Sequence, residues 1–423
     1  MNRKIQFAVI TFSVLLVGML LLGASTKKQS SPEETYRHIG VFTEVLSKIK
    51  SDYVEEPDMK NVTLGALNGL LESLDPYASY LGPDQYKQYT KISAGAKADV
   101  GLILAKRFGY IAIVGAIPGS PAEKAGLGTG DMLETINNVN TRDMPLAYAE
   151  IMLKGDAGTT IEFSVLRFTR PEPQKVTLTR TAIVLPAVSN KMLADNIGYV
   201  QVQSLAGSRL ADVEAAVKLL EKQGAKRFIL DLRNCATGDA EQGVALANLF
   251  EGQALLTYTE GQKQTRKNFA AVATKVATRL PLTVVTNRGT AGAAEVAAAA
   301  LLEAKRAPVV GERTYGDAAV RKTIMMDDGA AVILSVAKYY SPSGKAIQDT
   351  GVTPSVPVLD QQNVPTGDED ESAPPAEPKK AAEDEILKKA IEIAIKGVPP
   401  EAAAAAKTEG GEKGLGPLNI PKP

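Results

Sequence analysis

Residues 287–300 read NRGTAGAAEVAAAA and follow PLTVVT, an apolar strand-like run. Gly289 permits a sharp turn, and Glu295 to Ala300 begin a good helix. A strand, a tight turn and a helix N-terminus form a common stage for a nucleophile, because the turn lifts one side chain clear of the sheet. This turn offers only Thr290 among glycines and alanines. Other candidates for nucleophilic chemistry are few. Cys235 is the single cysteine, His38 the single histidine, and Ser341, Ser343 and Lys345 suggest a Ser-x-Lys pattern. A thiol acts only if its pKa is lowered, and any nucleophile needs a base within hydrogen-bond reach. His38 sits near the N-terminus, remote in sequence from every other motif, so a Ser-His-Asp arrangement is not expected. One cysteine leaves no intrachain disulfide, and with one histidine a zinc site built on His and Cys is not expected.

The elements that must position these residues fall into blocks. Residues 30–95 read as a helical segment: Val41, Val45, Ile49 and Val54, then Leu64, Leu67, Leu70 and Leu71, follow helical stripes, and SLDPYASYL (73–81) breaks them with a turn. Residues 96–182 alternate short β-rich runs (VGLIL, YIAIVGAI, DMLETIN, TIEFSVLR, KVTLTR) with two short helical stretches, PAEKAG and PLAYAEIMLKG. Gly and Pro punctuate them, which predicts an α+β module. Residues 183–360 alternate strand and helix, among them IGYVQVQS, LADVEAAVKLLEKQ, KRFILDLR, DAEQGVALANLF, PLTVVTN and AAEVAAAALLEAK. That is the pattern of a layered α/β domain. Residues 361–423 comprise a linker rich in Pro, Glu, Asp and Lys that is expected to be disordered, one amphipathic helix over 383–397, and a tail.

Lys plus Arg and Asp plus Glu number 48 each, so the chain has no net charge and nothing marks it as a nucleic-acid binder. No cofactor or metal is expected. At the N-terminus, Arg3 and Lys4 precede an uncharged stretch, Ile5 to Ser25. About 20 apolar residues can span a bilayer, and basic residues ahead of such a stretch keep that end cytoplasmic. Residues 1–28 therefore read as a signal peptide or a membrane anchor, with the rest of the chain extracytoplasmic, in a periplasm or cell envelope.

Three separate motifs, SLDPYASYL, GAIPGSPAEKAGLGTGDMLETINN and KYYSPSGKAIQDTGVTPSV, occur in this order. Together they resemble the C-terminal processing peptidases, the tail-specific serine proteases of bacterial periplasms and chloroplast lumens. The resemblance covers roughly residues 33–396. It implies an N-terminal helical segment, an inserted PDZ domain over 96–182, and an α/β serine-peptidase core over 183–360 related in fold to crotonase- and Clp-type proteins. A PDZ domain takes an extended peptide as an added strand beside a helix, with the peptide's carboxylate held by backbone N–H groups of a tight loop. Asp99, Val100, Gly101, Leu102 and Ile103 match that loop, and Ala149, Met152 and Leu153, at i, i+3 and i+4, are placed to line a pocket for an apolar terminal side chain.

The resemblance also implies a chemistry, a serine–lysine dyad. A serine in the turn attacks the peptide carbonyl, a lysine of lowered pKa takes its proton, a glutamine positions the lysine, and a glycine turn supplies oxyanion-hole N–H groups. The family's turn reads Gly-Ser-Ala-Ser-Ala-Ser-Glu with the reactive serine three residues before the glutamate; here the glutamate is Glu295 and the position is Gly292. The base position, 25 residues on in TYGD, is Asp317, and the glutamine position four further is Arg321. After DLRN (231–234) the family has Asn-Pro-Gly-Gly; this chain has Cys235, Ala236, Thr237 and Gly238, with Thr237 in place of the first glycine. Four functional positions depart together, while DLRN, GTA, VVGE and KYYSPSGKAIQ are kept. Asp317 and Arg321 are expected to pair. Thr290 is expected to point away from the lost site, Cys235 to be a small buried residue, and SPSG to be a turn. The reading is a pseudoprotease that binds protein C-termini or unfolded segments. Its partners would be such segments, an active protease relative, or further copies associating through the helix at 383–397. The alternative is an active serine-type peptidase with a displaced nucleophile.

Overall fold

The computed structural model describes residues 32–107, 109–142, 144–167, 170–359 and 384–397. The expected leader or anchor at 1–28, the linker over 361–380 and the tail after 398 lie outside the described residues. Among the described residues, no helix is long and apolar enough to cross a membrane.

The described chain divides after Gly65 into two units. The first holds α1 (Pro32–Asp52) and the start of α2 (Met59–Glu72). In the second unit, β1 (Ser79–Leu81) and α3 (Pro83–Gly95) precede the PDZ-like module. That module comprises β2 (Leu102–Arg107), β3 (Tyr110–Ala116), α4 (Pro121–Lys124), β4 (Met132–Ile136), β5 (Val139–Asn140), α5 (Leu146–Leu153), β6 (Thr160–Arg167) and β7 (Arg170–Thr179). Its antiparallel sheet runs β2-β3-β4-β6-β7, with β5 paired to β4, so β2 is an edge strand. Ile111 and Ile113 on β3, Leu133 and Ile136 on β4 on either side of a register shift, and Ile161, Phe163 and Val165 on β6 are nearly inaccessible to solvent and build its core. Arg180 closes the open end of α5: Nε donates to Leu153 O at 2.9 Å and Nη2 to Met152 O at 2.8 Å, meeting carbonyls that the helix leaves without partners.

The α/β core comprises β8 (Ser189–Leu193), β9 (Ile197–Gln201), α6 (Arg209–Lys222), β10 (Arg227–Asp231), α7 (Ala240–Asn248), β11 (Leu255–Glu260), β12 (Lys267–Ala270), β13 (Leu282–Thr286), α8 (Ala293–Glu303), β14 (Val309–Gly311), β15 (Ala319–Met325), β16 (Ala331–Tyr340), β17 (Val356–Pro357) and α9 (Glu385–Lys396). One sheet runs β17-β14-β13-β10-β9-β8, parallel except for β8. Both faces are covered, which is why β13 is buried at every residue. Phe228 and Leu230 pack with α6, α7 and α8 on one face, and Ile229 and Val285 meet Ile386, Ala390 and Ile393 of α9 on the other. Arg233 fixes α9 with two parallel hydrogen bonds to Asp384, each 2.9 Å. A second, antiparallel sheet runs β1-β16-β11-β12 with β15 on the outside of β16. Here Leu81 of the SLDPYASYL motif pairs with Ala331, which binds that motif to the core.

Close approach of α7 to α8 sets where the helix after NRGTAG begins. A Cβ at Gly243 would lie 1.9 Å from Ala293 O, so only glycine lets α7 pass the first turn of α8. Helix propensity alone favours alanine over glycine by about 1 kcal/mol. G243A is nonetheless expected to destabilise the chain by about 1–3 kcal/mol through overpacking. Urea unfolding measures this; a neutral or stabilising result would show that the contact yields easily.

Candidate active site

β13 delivers the chain into the turn at 287–292, and the turn is tied on two sides. Asn287 Oδ1 accepts Asn234 N at 3.0 Å and Gly289 N at 3.1 Å, while Asn287 Nδ2 donates to Asn234 Oδ1 at 2.8 Å. Ala291 N donates to Cys235 O at 3.0 Å, and Tyr315 N donates to Thr290 O at 2.9 Å. Hydrogen bonds therefore stitch the nucleophile turn to the turn after β10 and to the 314–317 segment. Gly292 closes the turn at φ 62°, ψ −121°. A side chain there is strained by of order 1–3 kcal/mol, a strain typical of active-site turns; glycine adopts the geometry without it. A Cβ at this position would meet Asp317 O at 3.7 Å, ordinary contact. The positions matched to nucleophile and base are thus neighbours, and the turn keeps room for a side chain that the sequence lacks.

Glu295 holds this arrangement together. It lies on the first turn of α8, inaccessible to solvent. Its Oε2 accepts Gly292 N at 3.0 Å and Asp317 N at 2.7 Å; Oε1 accepts Gly316 N at 2.6 Å and the Thr314 hydroxyl. Thr314 Oγ1 in turn accepts Val352 N at 2.7 Å. Burial pushes the Glu295 carboxyl up to about 7, and the Thr314 hydroxyl and the Asp317 and Gly316 N–H groups pull it down. In the sequence Glu295 serves only to count back to Gly292. Its place as third residue of a helix behind a glycine is the available signal, since an acid there reaches back to cap the turn.

Asp317 and Arg321 form an ion pair, as their spacing suggests. The guanidinium carbon of Arg321 stands 4.0 Å from the centre of the Tyr77 ring. Tyr77 is buried, and its phenol is pushed well above its ordinary range by burial first and by Asp317 second. The residues that stand where the lysine and glutamine are expected thus satisfy one another and stack on the SLDPYASYL motif.

The turn matched to the oxyanion hole is committed to packing. Asn234 sits at φ 58° and Gly238 at φ 121°. A Cβ at Gly238 would lie 2.8 Å from Leu205 Cβ, so glycine is required there. Thr237 Oγ1 donates to Ser204 Oγ at 2.8 Å, and Thr237 O accepts Leu205 N at 2.9 Å. Cys235 is fully buried and its thiol is pushed up to about 12 by burial, the opposite of an activated thiolate. Thr290 is also buried, with its hydroxyl donating to Leu232 O at 2.9 Å and accepting Asn287 N at 3.1 Å. Ser341 N donates to Lys345 O at 2.9 Å and Ser343 Oγ to Glu303 at 2.8 Å, so SPSG is a turn. His38 lies on α1, in the first unit.

The residues matched to a peptide groove come together between β2 and α5. Gly101, at φ 82°, passes so close to Ser120 that an added Cβ would lie 2.3 Å from Ser120 Cβ. Val100, Leu102, Ala149 and Leu153 are buried in the module's core, whereas Ile103 and Met152 are half-buried on its margin. The same apolar cluster takes in Tyr77 and Ala291, with Ala236 and Tyr315 packed against it. The module thus packs directly on the nucleophile turn.

Comparison with known proteins agrees with this architecture. The pattern described as Peptidase family S41 matches residues 196–358, and that of the PDZ domain matches residues 113–167. The chain is 32% identical to the carboxy-terminal processing protease CtpA of Bacillus subtilis (strain 168), covering 84% of this chain and 76% of that protein. It is 30% identical to the carboxyl-terminal-processing protease of Synechocystis sp., covering 84% and 87%. The solved structure of a photosystem II D1 C-terminal processing protease superposes with a TM-score of 0.64 at 26% identity, covering 76% of this chain and 92% of that one. The chain belongs to the C-terminal processing peptidase family, with N-terminal helices, a PDZ domain and an S41-type core.

The buried carboxyl predicts a pH dependence. Its folded value of about 7 stands above the ordinary 4.5, so between these values the native state binds the extra proton. Stability then falls as pH rises through that window and levels off above it. E295Q cannot titrate and leaves N–H donors facing an amide nitrogen, so it is less stable than the unaltered chain throughout. The gap between the two is expected to narrow by about 1–3 kcal/mol from pH 5 to pH 8 in urea unfolding. A gap that stays constant over that range would mean that the four donors offset or outweigh burial.

Proposed function

We propose that this chain is a non-proteolytic member of its family, a pseudoprotease that binds extended segments or C-termini of other proteins through its PDZ domain. The observation that carries the reading is Gly292: the turn has the backbone of a nucleophile turn and no side chain to react. The ion pair of Asp317 and Arg321 supports it, since a lysine base and its positioning glutamine are replaced by groups that neutralise each other. Removing one member of a nucleophile–base pair already cripples catalysis. The displaced-nucleophile alternative draws no support from Thr290 or Cys235, whose side chains are buried. Binding by the PDZ domain is supported by edge strand β2 lying beside α5.

The uncharged run from Ile5 to Ser25 behind Arg3 and Lys4 supports an extracytoplasmic place, secreted or anchored. There the chain would act as an adaptor or regulator, alone, as a homo-oligomer or beside an active relative.

The test incubates the purified chain with an unfolded protein bearing an apolar C-terminus, and separately with a fluorescent serine-reactive phosphonate. Neither turnover nor labelling is expected. Turnover abolished in T290A or C235A would instead establish a displaced nucleophile.

A further inference from the structure

The loop matched to carboxylate capture already holds a carboxylate. Asp99 Oδ1 accepts the Gly101 N–H at 2.8 Å. The aspartate is braced at its backbone, because Asp99 N donates to Thr181 O and Thr181 N to Asp99 O, each at 3.0 Å. The loop is braced as well: Ala122 N donates to Val100 O at 3.0 Å and Ile117 N to Gly101 O at 2.8 Å. Gly101 itself is pressed against Ser120, which fixes the direction of its N–H. The nearby cation, Arg180, feels the charge of Asp99, but the two form no ion pair among the described residues. Arg180 is committed to Leu153 O, Met152 O, Thr160 O and Thr159 Oγ1, at 2.8–3.0 Å. A second acid, Glu150, lies on α5, exposed at its surface though crowded by protein. Among the charges that reach its carboxyl are Arg321 and Lys154, which favour ionisation, and Asp317 and Asp99, which oppose it.

From this geometry we infer that Asp99 is a specificity determinant that excludes a free terminal carboxylate from the loop, so the PDZ groove takes extended segments that continue past it. The inference rests on the peptide-binding reading above and narrows its ligand class to internal or carboxyl-blocked segments. An incoming α-carboxylate would have to displace Asp99 from Gly101 N–H or lie beside its charge, with Arg180 already committed to four other acceptors, and like charges that close oppose one another. A peptide whose backbone continues, or ends in an amide, brings no such charge and can still pair with the edge of β2.

The test uses the purified full-length chain, D99N and D99A, with two fluorescein-labelled decapeptides of one sequence ending in valine. One carries a free carboxylate and the other a carboxamide. Fluorescence anisotropy gives the affinity of each, and thermal melts establish that the three proteins are folded. The unaltered chain is expected to bind the amide at least as tightly as the carboxylate. D99A is expected to shift the ratio toward the carboxylate about tenfold or more, the scale of one charge-assisted hydrogen bond. D99N keeps an acceptor oxygen and loses the charge, so its ratio should lie between the two. A ratio unchanged in both variants, or an unaltered chain that prefers the carboxylate tenfold, would overturn the inference while leaving peptide binding intact. Absence of binding by either peptide to all three proteins would overturn peptide binding itself, and the inference with it.

Discussion

A single buried carboxylate joins the parts of this protein that proteolysis would need to bring together. Glu295 accepts N–H groups from Gly292, Gly316 and Asp317 and the hydroxyl of Thr314. Those donors come from the end of the nucleophile turn and from the segment before β15, stretches distant in sequence that Tyr315 N and Thr290 O also join. Taking a carboxyl fully out of water is costly unless hydrogen bonds compensate it. Losing it would in turn leave the donors without partners. This mutual need keeps the turn at 287–292 and the 314–317 segment in fixed register whether or not either carries a reactive group.

The same constraint makes the family scaffold independent of the residues at the departing positions. The turn geometry is held by Asn287, Thr290 and Glu295, whose bonds are to backbone, to one another and to the side chains of Asn234 and Thr314. None of these bonds depends on a serine at 292 or a lysine at 317. In the space between, Arg321 neutralises Asp317 and lies on Tyr77, so the altered positions form a satisfied polar cluster beside the packed interface with the PDZ domain. Tyr77 and Ala291 belong to the same apolar cluster as Ile111 and Phe163 of that domain.

Much of this was legible in the sequence where local pattern and function coincide. The apolar run of β13 followed by a glycine turn and an alanine-rich helix identified the turn, and the spacing of Asp317 and Arg321 anticipated their pairing. Long-range partners were not legible. Strand β1 reads as part of a turn motif, because three residues become a strand only when β16 lies alongside, Leu81 against Ala331. Strand β12, KNFA, is hard to read for a related reason: it is exposed along most of its length and carries little periodic signal. Helical spacing placed Ala149, Met152 and Leu153 together but could not say that Ala149 and Leu153 turn into the core. The reach of Asp99 to Gly101 and the clamp of Glu295 depend on backbone N–H directions, which side-chain spacing does not encode.

If a built but empty site is the right description, restoring the missing groups should restore reactivity without rebuilding the framework. The direct measurement is phosphonate labelling of a chain carrying Gly292→Ser, Asp317→Lys, Arg321→Gln and Thr237→Gly, with its fold checked by circular dichroism. The account predicts covalent labelling at position 292, lost again when Lys is withheld from position 317. A folded variant that stays unlabelled would contradict it, because the scaffold would then have lost more than these four side chains.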